Sequence, residues 1–218
     1  MLVLLVDGSR EQWDAGRTPD EVMLAALTLL DFFAASARAV AEDDDDAFLW
    51  SASVYGGYAD DGHAAAARAV PASMGAICAA GLAELHASIK AAHAGYALGE
   101  RGGWRHLPEA CTIALGHAAW NDVRLHDSER TSGREGAIVV VAPALLGPNE
   151  DLGPSSHRLD ALVTSAHGKG IRVHWVDSSA RASPASPAPP ERLALAARTA
   201  QIIEDGTGAA FPLDRLLL

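Results

Sequence analysis

The chain opens on an unbroken apolar run, Leu2-Val3-Leu4-Leu5-Val6, closed by Asp7 and followed at once by Gly8-Ser9. A segment apolar on both faces belongs in the middle of a sheet covered by helices on both sides, so residues 2–6 are predicted to form a central parallel strand. Residues 137–142, Ala-Ile-Val-Val-Val-Ala, repeat the pattern and give the clearest strand of the chain. Residues 47–54 and 171–177 read as two more strands, the latter ending in Asp177, and Ala210-Phe211 begins a short final one. Tyr55-Gly56-Gly57-Tyr58 is predicted to turn tightly into a short edge strand.

Between these runs the apolar spacing changes to that of helices. Thr18-Pro19-Asp20-Glu21 supplies a hydroxyl cap, a proline at the first helical position and a glutamate that closes a capping box. Val22, Ala26, Leu29, Leu30, Phe33 and Ala37 then keep one face apolar until the acidic run Glu42-Asp43-Asp44-Asp45-Asp46. Further helices are predicted over 71–94, with Met74, Ile77, Cys78, Leu82, Leu85 and Ile89 in one stripe, and over 107–123, 155–167 and 191–204. Gly168-Lys169-Gly170 and Asp205-Gly206-Thr207-Gly208 read as stops for the last two elements of that set. The alternation of strands and helices predicts an α/β fold: a three-layer helix–sheet–helix sandwich on a mostly parallel central sheet. A length of 218 residues suits one domain over 1–218, with loop-rich insertions near 56–72, 95–106 and 178–190.

Charge and cysteine usage narrow the partners. With 17 basic and 28 acidic residues the formal charge is −11, which opposes attraction to a phosphate backbone, so no direct nucleic-acid binding is expected. Cys78 and Cys111 are far apart and make neither a disulfide framework nor a zinc spacing, which fits a reducing compartment. No stretch reaches the roughly 20 apolar residues of a membrane span, so no membrane partner is expected and the protein is read as soluble and intracellular.

Candidate chemistry gathers at the strand ends, because sites in open α/β sheets form outside the carboxyl ends of the strands. A G-x-S-x-G elbow is missing and so is a phosphate loop. Both cysteines fall on apolar helix faces, away from an activating base. The acidic run at 42–46 reads as a solvated turn rather than a calcium loop, and the cluster Asp60-Asp61-Gly62-His63, which could hold a cation, reads as a flexible loop rich in alanine and glycine. A metal-dependent nuclease of the PIN or NYN type would use Asp7 and Asp177, but residues 142–146, Ala-Pro-Ala-Leu-Leu, offer no acid after the intervening strand.

Asp7 and Ser9 match two positions of the D-x-S-x-S ion-binding motif of von Willebrand factor A domains, while Glu11 stands where the second serine belongs. A hard cation wants several oxygen ligands, so the half-kept motif of Asp7, Ser9 and Glu11 is the one metal candidate and is expected to hold none. Asp7 is instead expected to cap the loop that follows its strand, with Ser9 holding the turn. The chain is therefore expected to be no enzyme and to use no cofactor.

Leu4-Leu5-Val6-Asp7 and the short polar loop to Trp13 resemble the opening of the smaller von Willebrand A subunit in the core of the transcription and repair factor TFIIH. Asp205-Gly206-Thr207-Gly208-Ala209-Ala210-Phe211 resembles that family's threonine-glycine-glycine turn before an aromatic strand residue, with Ala209 in place of the second glycine. The family's cysteine-rich zinc module has no counterpart before Leu218. The resemblance implies a noncatalytic nuclear scaffold for transcription initiation and nucleotide excision repair, whose partners are the larger von Willebrand A subunit and other core TFIIH subunits.

Overall fold

The computed structural model describes residues 2–40, 50–55, 68–69, 79–98, 136–145, 152–179 and 190–217. Six strands form one sheet: β1 (Leu2–Asp7), β2 (Trp50–Tyr55), β3 (Arg68–Ala69), β4 (Gly136–Ala142), β5 (Ile171–Asp177) and β6 (Ala210–Pro212). Their spatial order is β3-β2-β1-β4-β5-β6; five run parallel, and β3 pairs antiparallel with β2. The helices are α1 (Arg10–Asp14), α2 (Pro19–Val40), α3 (Ala79–Ala97), α4 (Leu152–His167) and α5 (Pro190–Asp205), and a 3-10 turn (Leu213–Arg215) follows β6.

Every residue of β1 and β4 is buried, as their two-sided apolar runs require. Strand alternation divides the core into two layers. Leu2, Leu4 and Val6 pack with Val22, Ala26, Leu29 and Leu30 of α2 and with Leu85 and Ile89 of α3. Val3 and Leu5 face the other way, toward Leu159 and Val163 of α4 and Ile202 and Ile203 of α5. The expected helix–sheet–helix sandwich is therefore the observed architecture.

Helix ends follow the sequence signals closely. Thr18 N–H donates to Glu21 Oε2 at 2.9 Å and Glu21 N–H donates to Thr18 Oγ1 at 3.2 Å, which closes the capping box. Gly170, at φ 71°, ends the turn after α4, with its N–H on His167 O. The end of α5 is tighter: Thr207 and Gly208 return their N–H groups to Glu204 O and Ile203 O. Thr207 takes φ 64°, which its branched side chain disfavours, and a Cβ on Gly208 would overlap the carbonyl oxygen of Val173. This glycine lets the chain cross β5 closely enough to lay down β6.

Some expectations shift. The segment after Asp7, read as a polar loop, contains the short helix α1, and its Trp13 is buried. Tyr55, read as the start of a turn, is the last residue of β2 and is buried. Of the helix expected over 71–94, residues 71–78 lie outside the described residues and the described part, α3, runs on to Ala97; α4 begins at Leu152 rather than at 155. Residues 107–123, the acidic run at 42–46 and the cluster at 60–63 lie outside the described residues, as do Cys78 and Cys111.

One buried hydroxyl and one strained turn yield stability predictions. Thr199 is fully buried in α5, and its Oγ1 has no hydrogen-bond partner among the described residues, so Thr199→Val should stabilise by about 1 kcal/mol. Thr207→Gly should gain a similar amount by relieving the left-handed backbone, whereas Gly208→Ala should cost about 1–3 kcal/mol. Urea denaturation of the three variants against the parent chain checks both signs.

Candidate functional site

The carboxyl ends of the parallel strands form one row. Asp7 is in register with Tyr55, Val6 with Val141, Ala142 with Asp177, and Asp177 with Pro212. Ala142 thus lies between the two strand-terminal aspartates, whose backbones are about two strand spacings, roughly 10 Å, apart. The boundary between β1 and β4 is where connections leave in opposite directions, the usual crevice for ligands in open sheets.

Each aspartate is turned back on its own loop. Asp7 is completely buried, and its Oδ1 accepts the Ser9 N–H at 2.8 Å. Asp177 is half-buried, and its Oδ1 accepts the Ser179 N–H at 2.8 Å. These are two copies of the same Asx turn, in which a carboxylate satisfies a backbone donor two residues on as the chain leaves a strand. Asp7 therefore does cap the loop after its strand. Ser9 is buried beside it as the N-cap residue of α1 but makes no side-chain capping bond, and Glu11 is half-buried in the first turn of that helix.

Close packing fixes this loop. A Cβ on Gly8 would sit 2.7 Å from Val54 Cγ1 and 3.0 Å from Ala92 Cβ, so only glycine lets β2 and α3 approach the end of β1 together. Gly8 N–H donates to Tyr55 O at 2.7 Å, and Trp13 Nε1 donates to Gly8 O at 3.1 Å. Trp13 in turn meets His93 of α3 edge to face, with centroids 5.1 Å apart. Tyr96, one turn further along α3, donates its hydroxyl to Asp14 Oδ1 at 2.8 Å.

A second set of polar side chains ties β1 to β5, and nothing in the sequence pattern announced it. Arg17 is buried: its Nε donates to Ser178 O at 2.9 Å, one terminal nitrogen to Ser179 O at 2.8 Å, and the other to Asp214 Oδ1 at 2.9 Å. Ser178 donates its hydroxyl to Gln12 Oε1 at 2.5 Å and its N–H to Ala142 O at 3.1 Å. Trp175 Nε1 also donates to Ala142 O, at 2.9 Å. Gln12 Nε2 and Ser9 Oγ are enclosed here with no hydrogen-bond partner among the described residues.

Among the described residues this donor set offers fewer free oxygens than a hard divalent ion wants. The expected ligands are Asp7, Ser9 and Glu11; Asp7 Oδ1 already serves a backbone N–H, and Ala142-Pro143-Ala144 brings no oxygen-bearing side chain from β4. Among the described residues no three His, Cys, Asp or Glu side chains come together at ligand spacing. The arrangement shapes and rigidifies the sheet end through neutral and paired polar contacts.

Comparison with solved structures settles the fold. An aerotolerance-related membrane protein from Bacteroides fragilis NCTC 9343, solved with multiple mutations to serines, is 15% identical; the match covers 99% of this chain and 92% of that one, with a TM-score of 0.51. The pilus adhesin SpaC from Lactobacillus rhamnosus GG, in its open conformation, is 11% identical, with a TM-score of 0.59 over 99% of this chain and 28% of the adhesin. The fold is that of a von Willebrand factor A-like domain. No family model matches this chain, and no curated protein does. The first strand ends in Asp7 with Ser9 two residues on, while β4, whose Val141 is in register with Val6, ends in Ala142. Among the described residues no helix is long and apolar enough to cross a membrane.

Three variants probe the site's electrostatics. The hydrogen bond from Tyr96 to the Asp14 carboxylate, with some desolvation and the negative charge itself, raises the Tyr96 phenol above its ordinary value. Asp14→Asn should therefore lower the Tyr96 titration midpoint in ultraviolet difference titration. Arg17→Met should destabilise by about 3 kcal/mol, because it takes the guanidinium away from the Asp214 carboxylate and from the carbonyls of Ser178 and Ser179, and Asp214→Asn should cost less because it keeps an acceptor. Chemical denaturation ranks the two.

Proposed function

We propose that this von Willebrand factor A-like chain is a noncatalytic protein-interaction domain. The observation that carries the reading is the pair of Asx turns. Asp7 and Asp177 are the carboxylates that could have served hydrolysis or ion binding, and each spends an oxygen on the backbone of its own loop, with Ala142 between them. Metal-assisted hydrolysis needs carboxylates converging on an open site, and ion-dependent ligand capture needs an accessible cation. A fully enclosed Asp7 suits neither role and suits a rigid frame for binding through the outer helices or loops.

In its narrowest form the proposal makes the chain a nuclear TFIIH subunit that pairs with the larger von Willebrand A subunit. Its support is local: the β1 aspartate, the buried Trp13 and the turn from Asp205 to Phe211, where Gly208 meets Val173. The similar solved structures carry no link to TFIIH, so the general interaction role is the broader and better supported form.

The test uses the whole protein. Magnesium or manganese at millimolar concentration should neither raise the melting temperature nor produce hydrolysis of RNA or single-stranded DNA. Asp7→Asn, which keeps an acceptor for Ser9 N–H, should leave both results unchanged. A magnesium-dependent melting shift of several degrees that Asp7→Asn abolishes would replace this reading with an ion-dependent ligand binder, since a ligand that binds only the native state stabilises it by mass action. Metal-dependent cleavage lost in the same variant would make the chain a nuclease. Affinity purification from the native cells should recover defined companions, and companions with no transcription–repair subunit among them would remove the TFIIH form.

A further inference from the structure

We propose that His174 is a pH-sensitive latch on the β6 edge of the sheet. His174 is half-buried on β5, and its Nδ1 accepts the backbone N–H of Ala209 at 3.1 Å. A backbone amide can only donate, so Nδ1 holds a lone pair and the proton of the neutral ring is on Nε2. A doubly protonated imidazole has no acceptor. The bond therefore exists with the ring neutral, and protonation sets two N–H groups against each other.

The segment it holds has few other ties. β6 is three residues long, and the neighbouring bond is Trp175 N–H to Ala209 O at 3.0 Å. Ala209 is thus gripped on both sides of its backbone, by a constant donor from Trp175 and a switchable acceptor from His174. The turn just before it already contains Thr207 at φ 64° and Gly208 pressed on Val173, so it has little freedom to adapt. Just after it come β6, buried Leu213 and Asp214, whose carboxylate holds Arg17. Opening the latch loosens the route by which that carboxylate is delivered.

The ring of His174 has an aromatic neighbour. From α2 the Phe33 ring stands 6.0 Å away, tilted by 64°. Among the described residues, the charged groups closest along the chain to the ring and its neighbours are Arg172 and Asp177 on β5, Asp31 on α2, and Glu204 and Asp205 at the end of α5; β4 and β6 carry none. The bond favours the neutral ring, so its contribution is present at high pH and is lost as the ring takes up its second proton.

Amide hydrogen exchange of the whole chain, read residue by residue by NMR at pH 8 and pH 5 and corrected for intrinsic rates, tests this. Protection of Ala209 should drop roughly fivefold at pH 5, the worth of one ordinary hydrogen bond, while that of Gly208, which donates to Ile203 O, holds steady. His174→Asn places an amide oxygen near the position of Nδ1 and does not titrate, so it should keep Ala209 protected at both pH values; His174→Ala should lose protection at both. Equal protection of Ala209 at the two pH values in the parent chain overturns the latch, as does pH dependence that survives in His174→Asn. Should neither variant fold, nitrogen chemical shifts of the parent His174 ring decide alone: an Nε2–H tautomer at pH 8 is expected, and an Nδ1–H tautomer refutes the proposal.

Discussion

A single enclosed guanidinium governs how the carboxyl end of this sheet is arranged. Removing an arginine from water is tolerable only where its donors find acceptors, and Arg17 finds three: two carbonyls just past β5 and a carboxylate beyond β6. Those acceptors come from segments 161 to 197 residues away in sequence. The need to satisfy one cation therefore fixes where the chain exits β5, where the terminal 3-10 turn docks and how α2 begins, since Thr18 and Pro19 follow Arg17 directly. Ser178 extends the arrangement by donating to Gln12, so α1 is fixed to the same point.

Around that clamp the two strand-terminal aspartates have become structural. Each could face solvent as a ligand, and each instead closes a turn of identical geometry, with the same 2.8 Å bond to the residue two positions on. The difference lies in the surroundings. Asp7 is fully buried, next to a Gly8 that packs on Ala92 of α3 and accepts from Trp13, whereas Asp177 keeps partial contact with water. The von Willebrand factor A-like frame thus retains the opening residues of an ion motif while their atoms hold the loop together.

Much of the architecture was legible because it depends on local periodicity. The two-sided apolar runs of β1 and β4 can be stable only between helical layers, and Thr18 to Glu21 can hardly be anything but a helix start. Asp7's capping role was readable as well, since an aspartate followed by Gly-Ser carries its own turn chemistry. Arg17, Gln12, Ser178 and Asp214 were not readable, because each is an ordinary polar residue whose partner is set by the tertiary fold. α1 escaped notice for a related reason: five residues carry too little periodicity, and it is Trp13 packing under α3 that stabilises them.

The last strand has a consequence for the manner of assembly. Pro212, in register with Asp177 at the end of β6, has no amide hydrogen to offer on either side, and only two residues precede it in the strand. The rim of the sheet therefore presents too few main-chain donors to template an added ribbon from another molecule, which guards the protein against edge-to-edge aggregation. Any companion must engage side chains on the helical or looped exterior instead of extending the ladder at this border.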